Sequence, residues 1–211
     1  AAEAKTATSA LNAEASTATE TEANAVKAVS GVDAEAFDAI YRKAPAAKVE
    51  IDGLADGIAA DVGGTVAKPP IKPRERAIEK IVSEYDGDVT RIRDLARNSI
   101  IVPEERINEA VARLRSQGAS VKVIDSARHP LGYSGINTIV TTQSGLRAEI
   151  QVNTPEMIYA KESEGVARQQ LGNDVYDEIA ARTGVPGGKG HDLYEQWRML
   201  GPESAAAKEL D

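Results

Sequence analysis

The spacing of hydrophobic and polar positions changes near residue 67 and divides the chain into two parts. Residues 1 to about 35 are dominated by Ala, Thr, Glu and Ser, which favours an alanine-rich helix or a partly ordered tether. Short amphipathic helices are predicted at 33–43 and 51–62, before the helix-breaking stretch GGTVAKPPIKP. We therefore predict an alanine-rich helical N-terminal extension at 1–66 and a second domain at 67–211.

The second part alternates between helical and strand patterns. Helices are expected at 73–86, 91–96, 103–118, from 155 to about 182 and at 191–200. Strands are expected in NSIIV, in SVKVID and in two stretches of 131–154, where LRAEIQV alternates strictly between apolar and polar residues. This order predicts an α/β (α+β) fold with a mixed sheet of about four or five strands flanked by helices.

Composition excludes several kinds of site. The 211 residues contain no Cys and two His, His129 and His191, so disulfides and thiolate chemistry are excluded and a histidine metal site is disfavoured. The formal net charge of -8 disfavours general binding to nucleic acid but leaves room for a basic pocket that binds a small polyanion. No apolar run approaches the length of a bilayer span, so no membrane partner is predicted.

A basic group lies in KPRERAIEK, where Lys72, Arg76 and Lys80 are spaced four residues apart. This spacing predicts a stripe along one helix that suits the phosphates of a nucleotide. The alternative is a solvated face whose cations pair with Glu75 and Glu79. Spacing alone leaves both interpretations open. The stretch GVPGGKG is also rich in Gly, but it lacks the pattern of a Walker loop and is predicted to be a mobile loop.

Asp94 lies just before a hydrophobic strand, with Arg91, Arg93 and Arg97 around it in sequence. An aspartate in this place is a candidate Mg²⁺ ligand, and the arginines are candidate phosphate contacts. The alternative is an ordinary helix carboxylate that forms surface ion pairs.

Glu149 lies in the middle of the second strand of 131–154, where a metal ligand or a general base would be held rigidly. In the preceding loop, Gly132 permits a close approach of the backbone to a ligand, and Tyr133 offers a flat ring for stacking. The face that carries Glu149 also carries Arg147, Gln151 and Asn153. The alternative is a strand with one solvated face.

Taken in order, these segments resemble the synthetase domain of the RelA/SpoT family, enzymes that transfer pyrophosphate from ATP to the 3′-hydroxyl of a nucleotide. The resemblance covers about Lys68 to Arg198 and rests on the succession KPRERAIEK, IRDLARNSIIV, GYSGIN, EIQVNT, MIYAKE and HDLYEQWR. It implies a nucleotidyltransferase-like synthetase fold for 67–211 and Mg²⁺ as cofactor. It also implies ATP and a purine nucleotide acceptor as substrates.

The resemblance implies a role for individual residues. Asp94 and Glu149 match the catalytic, metal-binding carboxylates. The residues that match the ATP and phosphate contacts are basic: Lys72, Arg74, Arg76, Lys80 and Arg97. The acceptor contacts fall on the sheet and the loop before it: Tyr133, Asn137, Gln151 and Asn153. Supporting roles fall on Glu162, His191 and Arg198.

The chain departs from the long ribosome-associated members of the family at three positions. Asn137 stands where they have His, and Arg76 stands where they keep Ser between the two lysines. Ser99 replaces an Arg before the IIV strand, with Arg97 as a nearby substitute. No His-Asp metal motif of the family's hydrolase domain is visible in the sequence.

An unpaired synthetase with an alanine-rich lead-in resembles the C-terminal toxin domain of a secreted bacterial effector. This resemblance implies synthesis of (p)ppApp or (p)ppGpp in the cytoplasm of a target bacterium, and a cognate immunity protein as partner. Two alternatives stay open for the domain: pyrophosphorylation of the tRNA 3′ end, the one case with a nucleic-acid substrate, and a catalytically silent alarmone-binding module. A helical adaptor built on 1–65 is a further alternative.

Overall fold

The computed structural model describes residues 31–124, 135–190 and 196, and a five-stranded sheet organises them. The strands are β1 (Thr65–Ala67), β2 (Arg97–Ile101), β3 (Ser120–Ile124), β4 (Gly135–Thr141) and β5 (Arg147–Asn153). Their order across the sheet is β1-β2-β5-β4-β3. The neighbours β2 and β5 are parallel, and the other three pairs are antiparallel. This mixed sheet confirms the predicted α/β (α+β) fold class.

The helices flank this sheet. They are α1 (Ala34–Tyr41), α2 (Ala44–Val62), α3 (Arg74–Tyr85), α4 (Ile107–Ser116), α5 (Pro155–Lys161), α6 (Glu164–Leu171) and α7 (Asn173–Thr183). Short 3-10 turns lie at Val89–Arg91 and Glu104–Arg106. Within the part of the chain that the structure describes, no helix is both long and apolar enough to cross a membrane.

Local sequence explains where several helices begin and end. Asp33 caps α1, since its carboxylate accepts the Ala36 N–H at 3.1 Å. Thr154 caps α5 by accepting the Met157 N–H at 3.2 Å, and Pro155 follows in the first turn. Gly63 ends α2 in the left-handed conformation, with φ of 69°.

One hydrophobic core joins the early helices to the sheet. Ile150 of β5 and Ile51 of α2 are both fully buried in it. The core also takes in Phe37 of α1 and Leu114 of α4. The predicted division between residues 66 and 67 falls inside β1, which pairs with β2. Among the described residues, therefore, no separate core precedes residue 67.

Two helical predictions need correction. The predicted helix at 91–96 is wrong, because a 3-10 turn ends at Arg91 and the chain then extends into β2. The predicted long helix from 155 to about 182 is three helices, interrupted at Glu162, which is extended, and at Gly172, whose φ is 81°. The predicted helix at 191–200 lies outside the described residues except for Gln196.

The Gly-rich stretch 184–190 packs on α5, although the sequence predicts a mobile loop. The Gly188 N–H donates to the Tyr159 carbonyl at 2.9 Å, and the Tyr159 hydroxyl donates to the Val185 carbonyl at 2.6 Å. Gly188 has a φ of 77°, and a Cβ there would lie 2.8 Å from the Glu162 carbonyl oxygen, so this close approach requires glycine.

Candidate active site

One face of the sheet is polar at its centre. Along β5, Ala148, Ile150 and Val152 are buried in the core, whereas the residues between them are turned to the opposite face. The strand register places Glu149 beside Arg97 of β2. It places Gln151 between Ser99 of β2 and Asn137 of β4. The polar face predicted from the alternation therefore exists and gathers residues from three strands.

Asp94 lies in the extended segment before β2 and is only 6% exposed. Its Oδ2 accepts a hydrogen bond from Lys80 Nζ at 2.9 Å and lies 3.2 Å from Lys72 Nζ. Its Oδ1 is buried and has no hydrogen-bond partner among the described residues. Two residues further on, the Ala96 carbonyl accepts the Glu149 N–H at 3.1 Å, which connects the Asp94 segment to β5.

The charges of this cluster stabilise each other. Burial raises the pKa of Asp94, but the positive charges of Lys80 and Lys72 and their hydrogen bonds outweigh it and hold that pKa below its usual value. Burial lowers the pKa of Lys80, but the charge and hydrogen bond of Asp94 outweigh it, so the pKa of Lys80 is raised. Both side chains are therefore charged at neutral pH.

Lys72 reaches Asp94 from outside the helix. It precedes Pro73, and α3 begins at Arg74, so the prediction of one helical stripe of three cations is wrong. Its backbone is fixed on both sides instead: the Lys72 N–H donates to the Leu95 carbonyl at 2.9 Å, and the Tyr41 hydroxyl donates to the Lys72 carbonyl at 2.9 Å. The α1 helix therefore helps to position a residue of the candidate site.

The structure places the arginines predicted to bind phosphate in three environments. Arg74 pairs with Asp38 at 2.5 Å, and its guanidinium carbon lies 5.0 Å from the centre of the Phe37 ring and 5.1 Å from that of Tyr41. Arg76 is exposed and pairs with Glu79 at 2.8 Å. Arg97 is exposed beside Glu149. Only Arg97 of these three is thus placed next to a predicted catalytic carboxylate.

Lys161, at the end of α5, belongs to the site and was missed in the sequence. Its side chain is 12% exposed, and its Nζ donates to Gln151 Oε1 at 2.7 Å and to Asn153 Oδ1 at 3.3 Å. Burial lowers its pKa to about 8, with Arg97 adding to the shift and Glu162 opposing it. The motif MIYAKE contains this residue, but nothing in the local sequence distinguishes a buried lysine from an exposed one.

The remaining predicted residues divide into two groups. Glu162 follows Lys161, and its Oε1 lies 3.9 Å from Lys161 Nζ. Asn153 is 1% exposed, and its Nδ2 has no hydrogen-bond partner among the described groups. The other group lies outside the described residues: Tyr133, His191 and Arg198.

The carboxylates fit a magnesium ion. Mg²⁺ takes oxygen ligands and is commonly held by one or two carboxylates together with substrate phosphates. Asp94 offers a buried oxygen that lacks a partner, which is the donor that such an ion requires. In the described ranges no group of three or more His, Cys, Asp or Glu could hold a metal, so a Mg²⁺ ion at Asp94 would depend on further oxygen ligands from a bound substrate.

Comparison with known proteins gives the family. No family model matches the chain. The chain is 59% identical over 174 residues to the (p)ppApp synthetase toxin Tas1 of Pseudomonas aeruginosa (strain UCBPP-PA14). It also matches the crystal structure of the type VI effector Tas1 in complex with its immunity protein, with a TM-score of 0.78 and 58% identity over 83% of this chain and 91% of that one. The chain belongs to the Tas1 family.

Membership of the Tas1 family confirms the predicted resemblance to synthetases of the toxin type. The match to the curated Tas1 sequence covers 82% of this chain, and the chain spans 40% of the length of that protein. A small alarmone synthetase of Bacillus subtilis bound to its product pppGpp has a TM-score of 0.42 and 16% identity over 69% of this chain and 90% of that one. That similarity is too low to add to the assignment.

Proposed function

We propose that this chain is the catalytic domain of a (p)ppApp synthetase toxin. In this proposal it transfers the β,γ-pyrophosphate of ATP to the 3′-hydroxyl of a purine nucleotide. The proposal rests on the contacts of the Asp94 carboxylate. Two lysines bind its Oδ2, whereas its Oδ1 is buried and has no hydrogen-bond partner among the described residues. Buried polar atoms are nearly always paired, so the free oxygen favours an absent ligand over a purely structural ion pair.

We place Mg²⁺ at Asp94 and Glu149. When bound, the ion polarises the phosphoryl oxygens of ATP and offsets the charge that develops on them. Asp94 suits this role because its lowered pKa keeps it ionised at neutral pH. Glu149 suits it because a central strand holds the carboxylate between β2 and β4.

The transfer step assigns a task to each part of the site. The 3′-oxygen of the acceptor attacks the β-phosphorus of ATP, the bond from that phosphorus to the α,β-bridging oxygen breaks, and AMP leaves. Glu149 accepts the proton of the attacking hydroxyl. In this proposal Lys72 and Lys80 stabilise the negative charge on the phosphates, and Arg97, which lies beside Glu149, also contacts them.

The acceptor lies, in this proposal, along β4 and β5. Asn137 and Gln151 face each other across these strands and can bind its sugar or phosphates. Asn153 extends the same row with its unpartnered amide nitrogen. Tyr133 stacks on the base. The printed name of the Tas1 relative supports an adenine nucleotide as this acceptor.

The biological setting is proposed from the same relative. Tas1 is described as a type VI effector and as a toxin, which supports a secreted effector that acts in the cytoplasm of a target bacterium. The crystal structure of Tas1 contains its immunity protein, which supports a cognate immunity protein as a partner of this chain.

The proposal is tested by incubating the purified chain with Mg²⁺ and ATP labelled at the γ-phosphate, alone and with ADP, GDP or tRNA, followed by chromatography. A new labelled product, ppApp from ADP or pppApp from ATP, supports the proposal. Label on GDP instead identifies a (p)ppGpp synthetase, and label on tRNA an inhibitor of translation. Transfer to none of them overturns the enzymatic proposal and favours a silent alarmone-binding module. Asp94→Asn, measured in parallel, shows whether any transfer depends on the site.

A further inference from the structure

A chain of hydrogen bonds runs from α5 to the central carboxylate of the polar face. Lys161 Nζ donates to Gln151 Oε1 at 2.7 Å, and Gln151 Nε2 donates to Glu149 Oε1 at 2.7 Å. Ser99 adds a longer contact from its hydroxyl to the same Gln151 oxygen at 3.4 Å. The side-chain amide of Gln151 thus connects a buried cation to Glu149.

The orientation of the Gln151 amide in this series of hydrogen bonds follows from its two partners, Lys161 and Glu149. A protonated lysine has three donors and no acceptor, so it binds an amide through the oxygen and not through the nitrogen. With Oε1 of Gln151 held by Lys161, the amide nitrogen must face Glu149. The opposite orientation would turn an amide oxygen towards the carboxylate, and two acceptors would then face each other.

We propose that Lys161 is a positioning residue that fixes the orientation of the Glu149 carboxylate through the side-chain amide of Gln151. This inference rests on the catalytic role proposed for Glu149. Lys161 itself makes no contact with the reacting atoms in this proposal. Its effect is to leave one oxygen of Glu149 bonded to Gln151 and to direct the other towards metal and substrate.

The surroundings of Lys161 make this control sensitive to pH. The charged groups that face it are Glu162 on its own segment, Glu149 on β5 and Arg97 on β2. Burial, together with Arg97, lowers the pKa of Lys161 to about 8. Above that pH the amine loses its charge, so its hydrogen bond to Gln151 Oε1 weakens and the Gln151 amide is held mainly by Glu149.

The first test is made on the protein without substrate. The side-chain ¹⁵N–¹H signals of Gln151, assigned by their loss in Gln151→Leu, are followed by NMR from about pH 6.5 to about pH 9.5. We expect them to shift with a midpoint near pH 8, and to be displaced and insensitive to this titration in Lys161→Met. Gln151 side-chain signals that change neither with pH nor in Lys161→Met overturn the proposal. The wild-type titration decides this even if Lys161→Met does not fold.

The second test is kinetic. Lys161→Met should lower kcat for pyrophosphate transfer about 10- to 100-fold, as removal of such supporting partners usually does, with little change in the KM for ATP. If Lys161 acts through Gln151, the double variant should be no slower than Gln151→Leu alone. Additive effects, or an unchanged kcat in Lys161→Met, overturn the proposal. Lys43→Met makes the same chemical change at an exposed position and should leave kcat unaltered.

The two tests also separate this inference from the proposed function. Absence of pyrophosphate transfer in the wild-type chain overturns the proposed function alone, because the NMR titration reports the hydrogen bond between Lys161 and Gln151 without any substrate. A wild-type chain that transfers pyrophosphate but shows no coupling between Lys161 and Gln151 overturns the positioning role alone.

Discussion

Glu149 gives the clearest prediction at the scale of single residues. Its side chain is half-buried on the polar face and contacts Gln151, so it contributes little to the core. Glu149→Ala should therefore lower kcat by about three orders of magnitude or more, because the proposed metal ligand and general base are lost together. The thermal midpoint should change by only a few degrees, as measured by circular dichroism.

The control for Glu149→Ala is Glu105→Ala, which makes the same substitution at an exposed position. It should keep both the rate and the thermal midpoint. Full activity of Glu149→Ala would show that the role given to Glu149 is wrong, whatever the state of the fold.

Asp94 should influence stability as well as activity. Burial raises its pKa, but Lys80 and Lys72 outweigh that and lower it, so the folded state favours the ionised form. The resulting stabilisation is present above the unfolded pKa of about 4 and is lost as pH falls through the lower folded value. Asp94→Asn should remove this acid-side loss and lower the free energy of unfolding near pH 7 by about 2–4 kcal/mol, since two partly buried lysines lose their counter-charge.

Urea unfolding between about pH 3 and about pH 7 measures both effects of Asp94→Asn. Asp177→Asn is the matched control, because Asp177 is exposed and pairs with Arg168 at 2.8 Å, so its loss should cost less than about 1 kcal/mol. Equal unfolding midpoints for Asp94→Asn and wild type would contradict the proposed balance of charges.

The sequence predicted the position of a residue where that position depends only on the neighbouring residues. The sequence shows that Asp94 precedes a strand and that Glu149 lies within one, because both strands have a clear hydrophobic pattern. The burial of Lys161 cannot, since it depends on how α5 packs against β5. Arg74 likewise packs on Phe37 and Tyr41, which joins α3 to α1. Its ion-pair partner Asp38 is 36 residues away in sequence, so KPRERAIEK alone could not predict these contacts.

At the scale of elements, two glycines, one inside α2 and one just after it, should respond to substitution by alanine in opposite ways. A Cβ on Gly57, inside α2, would meet nothing within 4 Å, so Gly57→Ala should stabilise the protein by about 0.5–1 kcal/mol through helix propensity. A Cβ on Gly64 would lie 2.7 Å from the Ile101 carbonyl oxygen and 2.6 Å from Val102 Cγ1. Gly64→Ala should therefore destabilise it by about 1–3 kcal/mol.

Thermal or urea unfolding of the two variants, measured side by side, checks this pair. Both substitutions add one methyl group, so each is the control for the other. A loss of stability in Gly57→Ala would indicate that the outer surface of α2 is covered by something that the described residues do not include.

Four of the five strands were predicted, whereas β1, which lies in the stretch GGTVAKPPIKP, and the breaks in one long helix were not. Strict alternation in LRAEIQV corresponds to β5, whose one face is buried and whose other face is polar. The break at Glu162 has no Gly or Pro to announce it. The second break falls at Gly172, a signal that is present in the sequence but that single glycines inside helices also produce.

For the whole molecule, the described part of residues 1–66 should be required for folding. Phe37, Ile51 and Ile58 are buried in the same core as the sheet. A chain that starts at Ala67 lacks β1's first residues and both helices α1 and α2, so it should be unfolded or a molten globule by near-ultraviolet circular dichroism. A chain that starts at residue 31 keeps every contact described here and is the control. A cooperative, active fragment from Ala67 would show that the extension is dispensable.

The fold class could be predicted more reliably than the division of the chain between residues 66 and 67. The alternation of helices and strands after residue 67 is enough for a mixed sheet flanked by helices. The role of 34–62 could not be read, because alanine-rich helices carry few large side chains and their contribution to a core depends on close packing. Ala44, Ala47 and Ala55 are all fully buried in α2, where small residues let the helix approach the sheet.

The parallel pairing of β2 with β5 also bears on when activity arises. Ser99 and Gln151 are 52 residues apart in sequence, and the strands that carry them form neighbouring rows of the polar face. Closing so long a loop is slow and comes late in folding compared with forming local helices. Under the proposed function, neither half of the chain contains the complete active site, so pyrophosphate transfer should begin abruptly when the last strands join. In a refolding experiment, the time at which AMP release begins would therefore report when the sheet is complete.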